Sequence, residues 1–67
     1  MFMISLEAAR VNAGMSQKAA ARAVGVNVTT LSNWENGKTS PDADKFKALC
    51  DIYGCPIDCV FLKKKFT

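Results

Sequence analysis

The sequence predicts an all-α fold, a compact bundle of five short helices. Glycine is common just past a helix end, because the chain there turns left-handed without a side-chain clash. Four stretches of helical periodicity each end at a glycine: Gly14, Gly25, Gly37 and Gly54. Residues that favour helix starts stand near the beginnings of these stretches: Ser5, Ser16, Asn27 and Ser40. No segment alternates polar and apolar residues as a half-buried strand does.

The first two predicted helices are short. The first covers residues 5–13 and places Leu6 and Ala9 on one face. Ser16 caps the second, which ends at Val24 and contains four alanines. Alanine favours the helix but fills little space, so the second helix is expected to lie close to a neighbouring helix.

The third predicted helix follows a very short joint and is capped by Asn27. Leu31 and Trp34, three residues apart, are its apolar side and are expected in the core. The opposite side is a stripe without charge, polar except for its first member: Val28, Thr29, Ser32, Asn33 and Asn36.

The fourth predicted helix has Pro41 at its first helical position, where the missing proline N–H has no cost. Asp42 and Asp44 suit the positive end of its dipole, and Gly54 ends it. Pro56 is expected to open a fifth helix that runs to about Phe61.

We divide the chain into a single domain over residues 1–62 and a basic tail over residues 63–67.

Composition argues against several function classes. The chain has no histidine, no phosphate-binding glycine loop and no evident acid–base pair, so neither an enzyme nor a cofactor is expected. Its three cysteines lack zinc-site spacing and are expected to be free thiols, with no metal bound. No apolar run is long enough to span a membrane, and no signal peptide is evident, so we expect a cytoplasmic protein.

Residues 17–36 form the pattern of a helix-turn-helix, two short helices joined by a tight turn that contains glycine. The net charge of residues 16–40 is +2, whereas that of residues 41–58 is −2. In such a unit the second helix lies in the DNA major groove and presents its outer face to base edges. The pattern therefore predicts a DNA-binding domain.

The same residues carry a family resemblance. Met15–Gln17, Gly25–Val26 and Ser32–Lys38, followed by Pro41 and by Ile57–Asp58, resemble the Cro/phage-repressor (xenobiotic response element) type of helix-turn-helix domain. The resemblance covers nearly the whole chain. It implies a lambda-repressor-like fold and a bacterial or phage transcription regulator, expected to be a repressor, that binds double-stranded DNA.

What the resemblance implies for single residues can be stated by role. The base-reading positions are Gln17, Val28, Thr29, Ser32 and Asn33. The phosphate-contacting positions are Ser16, Gln17, Lys18, Asn36, Lys38 and Thr39. Arg10 and Glu35 match an ion pair that bridges the first and third helices. Val28 departs from the family pattern, because this position often holds a long polar or basic residue, and a valine can only pack on a thymine methyl. Lys18 and Arg22 are read as solvated helical charges or as weaker phosphate contacts. The basic tail is either solvated or an arm along the DNA backbone.

Two further expectations concern partners. One such domain touches few base pairs, so a homodimer on a near-palindromic operator is expected. The apolar dimer surface would come from the last helix and the tail, with Ile57, Val60, Phe61, Leu62 and Phe66. The alternative for Ile57, Val60 and Phe61 is that they complete the core, and this is expected for some of them. The alternative function is a protein-interaction module, such as an antitoxin or an adaptor, built on the same fold.

Overall fold

The computed structural model describes residues 3–63 as four α-helices, a short 3₁₀ turn and two very short strands. In chain order they are β1 (Ile4–Ser5), α1 (Leu6–Asn12), α2 (Gln17–Val24), α3 (Val28–Glu35), α4 (Ala43–Tyr53), the 3₁₀ turn (Ile57–Cys59) and β2 (Val60–Phe61). The first four predicted helices are present. The prediction of five helices was wrong.

The predicted fifth helix is a 3₁₀ turn followed by a strand. Val60 and Phe61 pair in parallel with the start of the chain, with Ile4 opposite Val60 and Ser5 opposite Phe61. Valine and phenylalanine favour extended backbone, and a helix of five or six residues is marginal on its own. Long-range pairing therefore decides the conformation of this segment, and a local pattern does not contain that information.

Serine side chains begin the first two helices as predicted. The Ser5 hydroxyl accepts from the Ala8 N–H at 3.1 Å, and the Ser16 hydroxyl accepts from the Ala19 N–H at the same distance. Asn27 stands at the cap position of α3 but makes no side-chain bond to the helix backbone. Its Oδ1 accepts from the Thr30 hydroxyl at 3.3 Å instead.

The start of α4 differs from the prediction. Asp42, not Ser40, is the cap, since its side chain accepts from the Lys45 N–H at 2.8 Å. Pro41 therefore precedes the cap and is not the first helical residue. An aspartate is as good a cap as a serine, and its charge also suits the helix dipole, so the cap falls two residues later than expected.

The core lies where the four helices meet. Leu31 and Leu49 are fully buried, and Trp34 is buried beside them, as predicted for the apolar side of α3. Ala20 and Ala21 are also buried, and α2 packs against both α3 and α4. Small side chains on α2 thus permit the close approach that the alanine content predicted.

Within residues 3–63, no helix combines the length and the apolar character needed to cross a bilayer. Lys63 is described, and its Nζ lies 3.8 Å from the Glu7 carboxylate. The rest of the predicted basic tail, residues 64–67, lies outside the described residues.

Candidate nucleic-acid interface

The joint between α2 and α3 fixes the angle at which α3 leaves the body of the protein. Gly25 takes a left-handed conformation (φ +77°), which residues with a side chain rarely adopt. The Val26 N–H donates to the Ala21 carbonyl at 3.0 Å and closes the turn. With Leu31 and Trp34 buried below, the opposite side of α3 is directed outward.

The outward side of α3 contains all of the base-reading positions predicted on that helix. Val28 is 43% exposed and Thr29 is also exposed, whereas Ser32 and Asn33 are half-buried. The Asn36 amide donates to the Ser32 hydroxyl at 3.3 Å, one turn apart. We call Val28, Thr29, Ser32 and Asn33 the reading surface. It is compact and uncharged, and its N-terminal end is open to solvent.

The loop after α3 is tied to the end of that helix. The Asn33 carbonyl accepts from the Lys38 N–H at 2.9 Å and from the Thr39 N–H at 3.4 Å. These bonds satisfy an otherwise unpaired carbonyl at the helix end and hold the loop in place. The exposed side chains of Lys38 and Thr39 consequently start from a fixed backbone beside the reading surface.

Behind the reading surface, an ion pair joins α1 to α3. Arg10 Nε donates to Glu35 Oε2 at 2.8 Å, and the Glu35 side chain is only 2% exposed. A second Arg10 nitrogen donates to the Met15 carbonyl at 2.8 Å, in the link between α1 and α2. The hydrogen bond that Arg10 donates to Glu35 raises the pKa of Arg10, although burial acts in the opposite direction.

Gln17, predicted at both a base and a phosphate, also contacts this ion pair. Its Nε2 donates to Glu35 Oε1 at 2.8 Å. Because an ionised carboxylate only accepts hydrogen bonds, the amide nitrogen must face Glu35. One amide N–H and the amide oxygen remain for other partners. The family resemblance implied the ion pair of Arg10 and Glu35, but the sequence contained no signal that Gln17 would also contact Glu35.

Tyr53 on α4 is buried close to the same group of charges. It is 6% exposed, and its hydroxyl has no hydrogen-bond partner among the described residues. Burial raises the pKa of Tyr53 to about 12, and the nearby charge of Glu35 acts in the same direction. The hydroxyl is therefore held in its neutral form.

Three basic side chains flank α3. Two of them belong to α2 and lie near the N-terminal end of α3, and the third follows its C-terminal end. Lys38 is exposed beyond its C-terminal end. Lys18 and Arg22, both exposed on α2, line an open groove at its N-terminal end together with Asn27 and Val28. Ser16, predicted at a phosphate, lines a second shallow concavity beside Lys18 and Arg22.

The apolar residues predicted for a dimer surface divide into two groups. Val60 is only 5% exposed, so of its two predicted places, dimer surface or core, it takes the core. Ile57 and Phe61 are 45% and 42% exposed. Leu62 packs against the core while still half-buried, and Phe66 lies outside the described residues.

The cysteines are free thiols, as predicted from their spacing. Cys50 is buried, and burial raises the pKa of its thiol, which lowers its reactivity. Within residues 3–63, no group of acidic and cysteine side chains is arranged to hold a metal ion.

Comparison with known proteins gave one match. A family model described as "Helix-turn-helix", of the Cro/C1 type, matches residues 6–58, well over half of the chain. The matched segment spans α1 to α4 and includes every described residue discussed above as a DNA contact. No curated protein and no solved structure gave a significant match.

Proposed function

We propose that this chain, which belongs to the helix-turn-helix family of DNA-binding transcription regulators, is a sequence-specific repressor. It would insert α3 into the major groove and exclude other proteins from the DNA that it covers. The observation that carries the proposal is the outward side of α3. That side is uncharged, exposed at Val28 and Thr29 and half-buried at Ser32 and Asn33, and hydrogen bonds behind it and beside it hold it in place.

The reading residues fit a small set of base contacts. Asn33 offers an amide, which pairs in two bonds with an adenine edge. Val28 offers two methyl groups, which fit against a thymine methyl. Thr29 and Ser32 have hydroxyls that either donate or accept. We therefore assign base reading to these four residues of α3, with Gln17 beside them.

The remaining contacts would fix the position of the protein on the duplex without reading the sequence. We assign them to donors around the reading surface: Ser16, Gln17, Lys18, Asn36, Lys38 and Thr39. For Gln17, the bond to Glu35 leaves one side-chain N–H, so a side-chain contact with a phosphate would use that hydrogen. The Lys38 and Thr39 side chains extend from backbone already bonded to Asn33.

We further propose that the protein binds as a homodimer on a near-palindromic operator. A single reading surface of four residues touches too few base pairs for useful specificity, and two copies double the site. Ile57 and Phe61 support this assignment, because both are apolar and nearly half exposed on adjacent parts of the C-terminal segment.

One experiment tests the proposed function. Selection of bound duplexes from random DNA is expected to yield an inverted repeat whose half-sites lie about 34–36 Å, one helical turn, apart. Binding of the selected duplex should weaken steeply as salt increases, because phosphate contacts release counterions. Failure to enrich any sequence, together with salt-independent capture of a protein partner, would instead identify an interaction module such as an antitoxin or adaptor.

A further inference from the structure

Arg22 has no assigned role in the proposed contacts, although its position is informative. It lies one turn after Lys18 on α2, so the two cations occupy the same helix face. Both are exposed, and among residues 3–63 neither has an acidic partner within ion-pair distance. The other exposed cation on a helix, Lys47 on α4, is paired with Asp51 at 3.1 Å.

The groove that these cations line is bounded on its other side by α3. Asn27 and Val28, the cap and first residue of that helix, form the opposite wall. Arg22 therefore stands next to the position where the reading surface is apolar and can make no hydrogen bond. At the far end of α3, Lys38 stands beyond the reading residues.

The exposed cations flank α3 at its opposite ends, with Lys18 and Arg22 at the N-terminal end and Lys38 beyond the C-terminal end. The major groove of B-DNA admits one α-helix, and the phosphates of the two strands line its edges. Cations that flank the helix therefore come close to the DNA backbone when α3 enters the groove. The outward side of α3 has no charge, so its electrostatic attraction to DNA comes from these flanking cations.

We propose that Arg22, with Lys18, forms a second phosphate-binding subsite, which holds the DNA backbone next to Val28, at the opposite end of α3 from Lys38. The inference rests on the proposed function, since it needs α3 in the major groove. It assigns Arg22 to a DNA phosphate rather than to solvent. The ligand class is a phosphodiester, recognised by charge and not by base identity.

The test is the salt dependence of binding to the selected operator, measured for the full chain and its variants. The slope of log K against log salt is negative, and each lost phosphate contact makes it shallower by about 0.9. Arg22→Gln should thus reduce the loss of affinity between about 50 and 200 mM salt by about 3.5-fold, and Arg22→Gln with Lys18→Gln by about 12-fold. Lys47→Gln, which removes the same charge from a paired lysine, should keep the wild-type slope.

A second substitution separates phosphate from base recognition. Arg22→Lys keeps the charge but loses the planar fork that pairs with guanine. It should keep both the wild-type slope and the selected sequence. An altered base preference in this variant would overturn the inference in favour of a base contact.

Two other outcomes would also overturn the inference, and they are distinguishable. If Lys38→Gln makes the slope shallower but Arg22→Gln does not, Arg22 does not bind a phosphate, and the proposed function stands. If the wild-type chain itself shows no salt-dependent binding to DNA, both fail. Circular dichroism of each variant should show wild-type helicity, because glutamine and lysine are good helix formers at exposed positions.

Discussion

Gln17 at the start of α2 donates its side-chain amide to Glu35 at the end of α3, across 2.8 Å. This bond connects the two helices of the helix-turn-helix through a carboxylate that Arg10 of α1 also contacts. The angle between α2 and α3 therefore depends on a buried charge as well as on the turn at Gly25.

Gln17→Glu should destabilise the protein more than Gln17→Ala does. Alanine removes a hydrogen bond to a charged group, which is worth about 1.5–3 kcal/mol. Glutamate instead brings a second negative charge next to Glu35. Urea denaturation of the three proteins at pH 7 measures the difference. Equal stability of the two variants would show that Gln17 does not contact Glu35 in solution.

Glu35→Gln should lower the free energy of unfolding by about 3–5 kcal/mol, because it leaves the Arg10 charge partly buried without its partner. Glu7→Gln is the matched control. Glu7 is exposed and 3.8 Å from Lys63, so its loss should change stability by no more than about 1 kcal/mol. Similar effects of the two substitutions would contradict a structural role for the buried pair.

Tyr53 should make stability fall at high pH. Its pKa is about 12 in the folded protein against 10.0 for the free group, so the unfolded chain releases its proton first. The contribution is fully present below pH 10 and is lost as pH rises through about 12, at a cost of about 2–3 kcal/mol.

Tyr53→Phe provides the control for this pH dependence. The variant should lack the alkaline loss and should be at least as stable at pH 7, since the hydroxyl it removes is buried without a partner among the described residues. Unfolding in urea at pH 7, 10 and 12 compares the two proteins. The same decline in both would assign the pH dependence to other groups.

Asn33→Ala should weaken binding to the selected operator by about 1–3 kcal/mol and relax one base position. Asn12→Ala, at an exposed position at the end of α1, is the matched control and should bind as the wild type does. Selection from random DNA with each variant gives the readout. An unchanged preference at every position would remove Asn33 from the base-reading set.

Phe61→Ser should raise the concentration needed for self-association at least tenfold, because it removes an exposed apolar side chain from the proposed dimer surface. Ile57→Ser should act in the same direction without altering β2. Val11→Ser, at a more exposed valine on α1, should leave association unchanged. Sedimentation across a range of concentrations, with and without operator, measures the effect, and a wild-type protein that stays monomeric in both would rule out the dimer.

Local patterns were sufficient to predict much of this molecule. Leu31 and Trp34 could be placed in the core because a helix repeats every three to four residues. The positions of α2 and α3 followed from Ser16 and Gly25, whose chemistry acts within one turn. The family resemblance then indicated where Arg10 and Glu35 meet.

Features that depend on distant residues could not be predicted in this way. Val60 lies in a strand because Ile4 pairs with it, and nothing near Val60 contains that information. The bond from Gln17 to Glu35 likewise requires the tertiary arrangement. The start of α4 at Pro41 was mispredicted for a different reason. Ser40 and Asp42 are both acceptable caps, and local chemistry did not distinguish between them.

The pairing of Ile4 with Val60 affects which part of the protein unfolds locally first. It joins the two ends of the described chain and consists of two residues on each side. Because so short a ladder at the chain ends has few hydrogen bonds, we expect it to open more easily than the helices. Amide hydrogens of Val60 and Phe61 should therefore exchange with deuterium sooner than those in the middle of α4, through fluctuations that leave the helix-turn-helix intact.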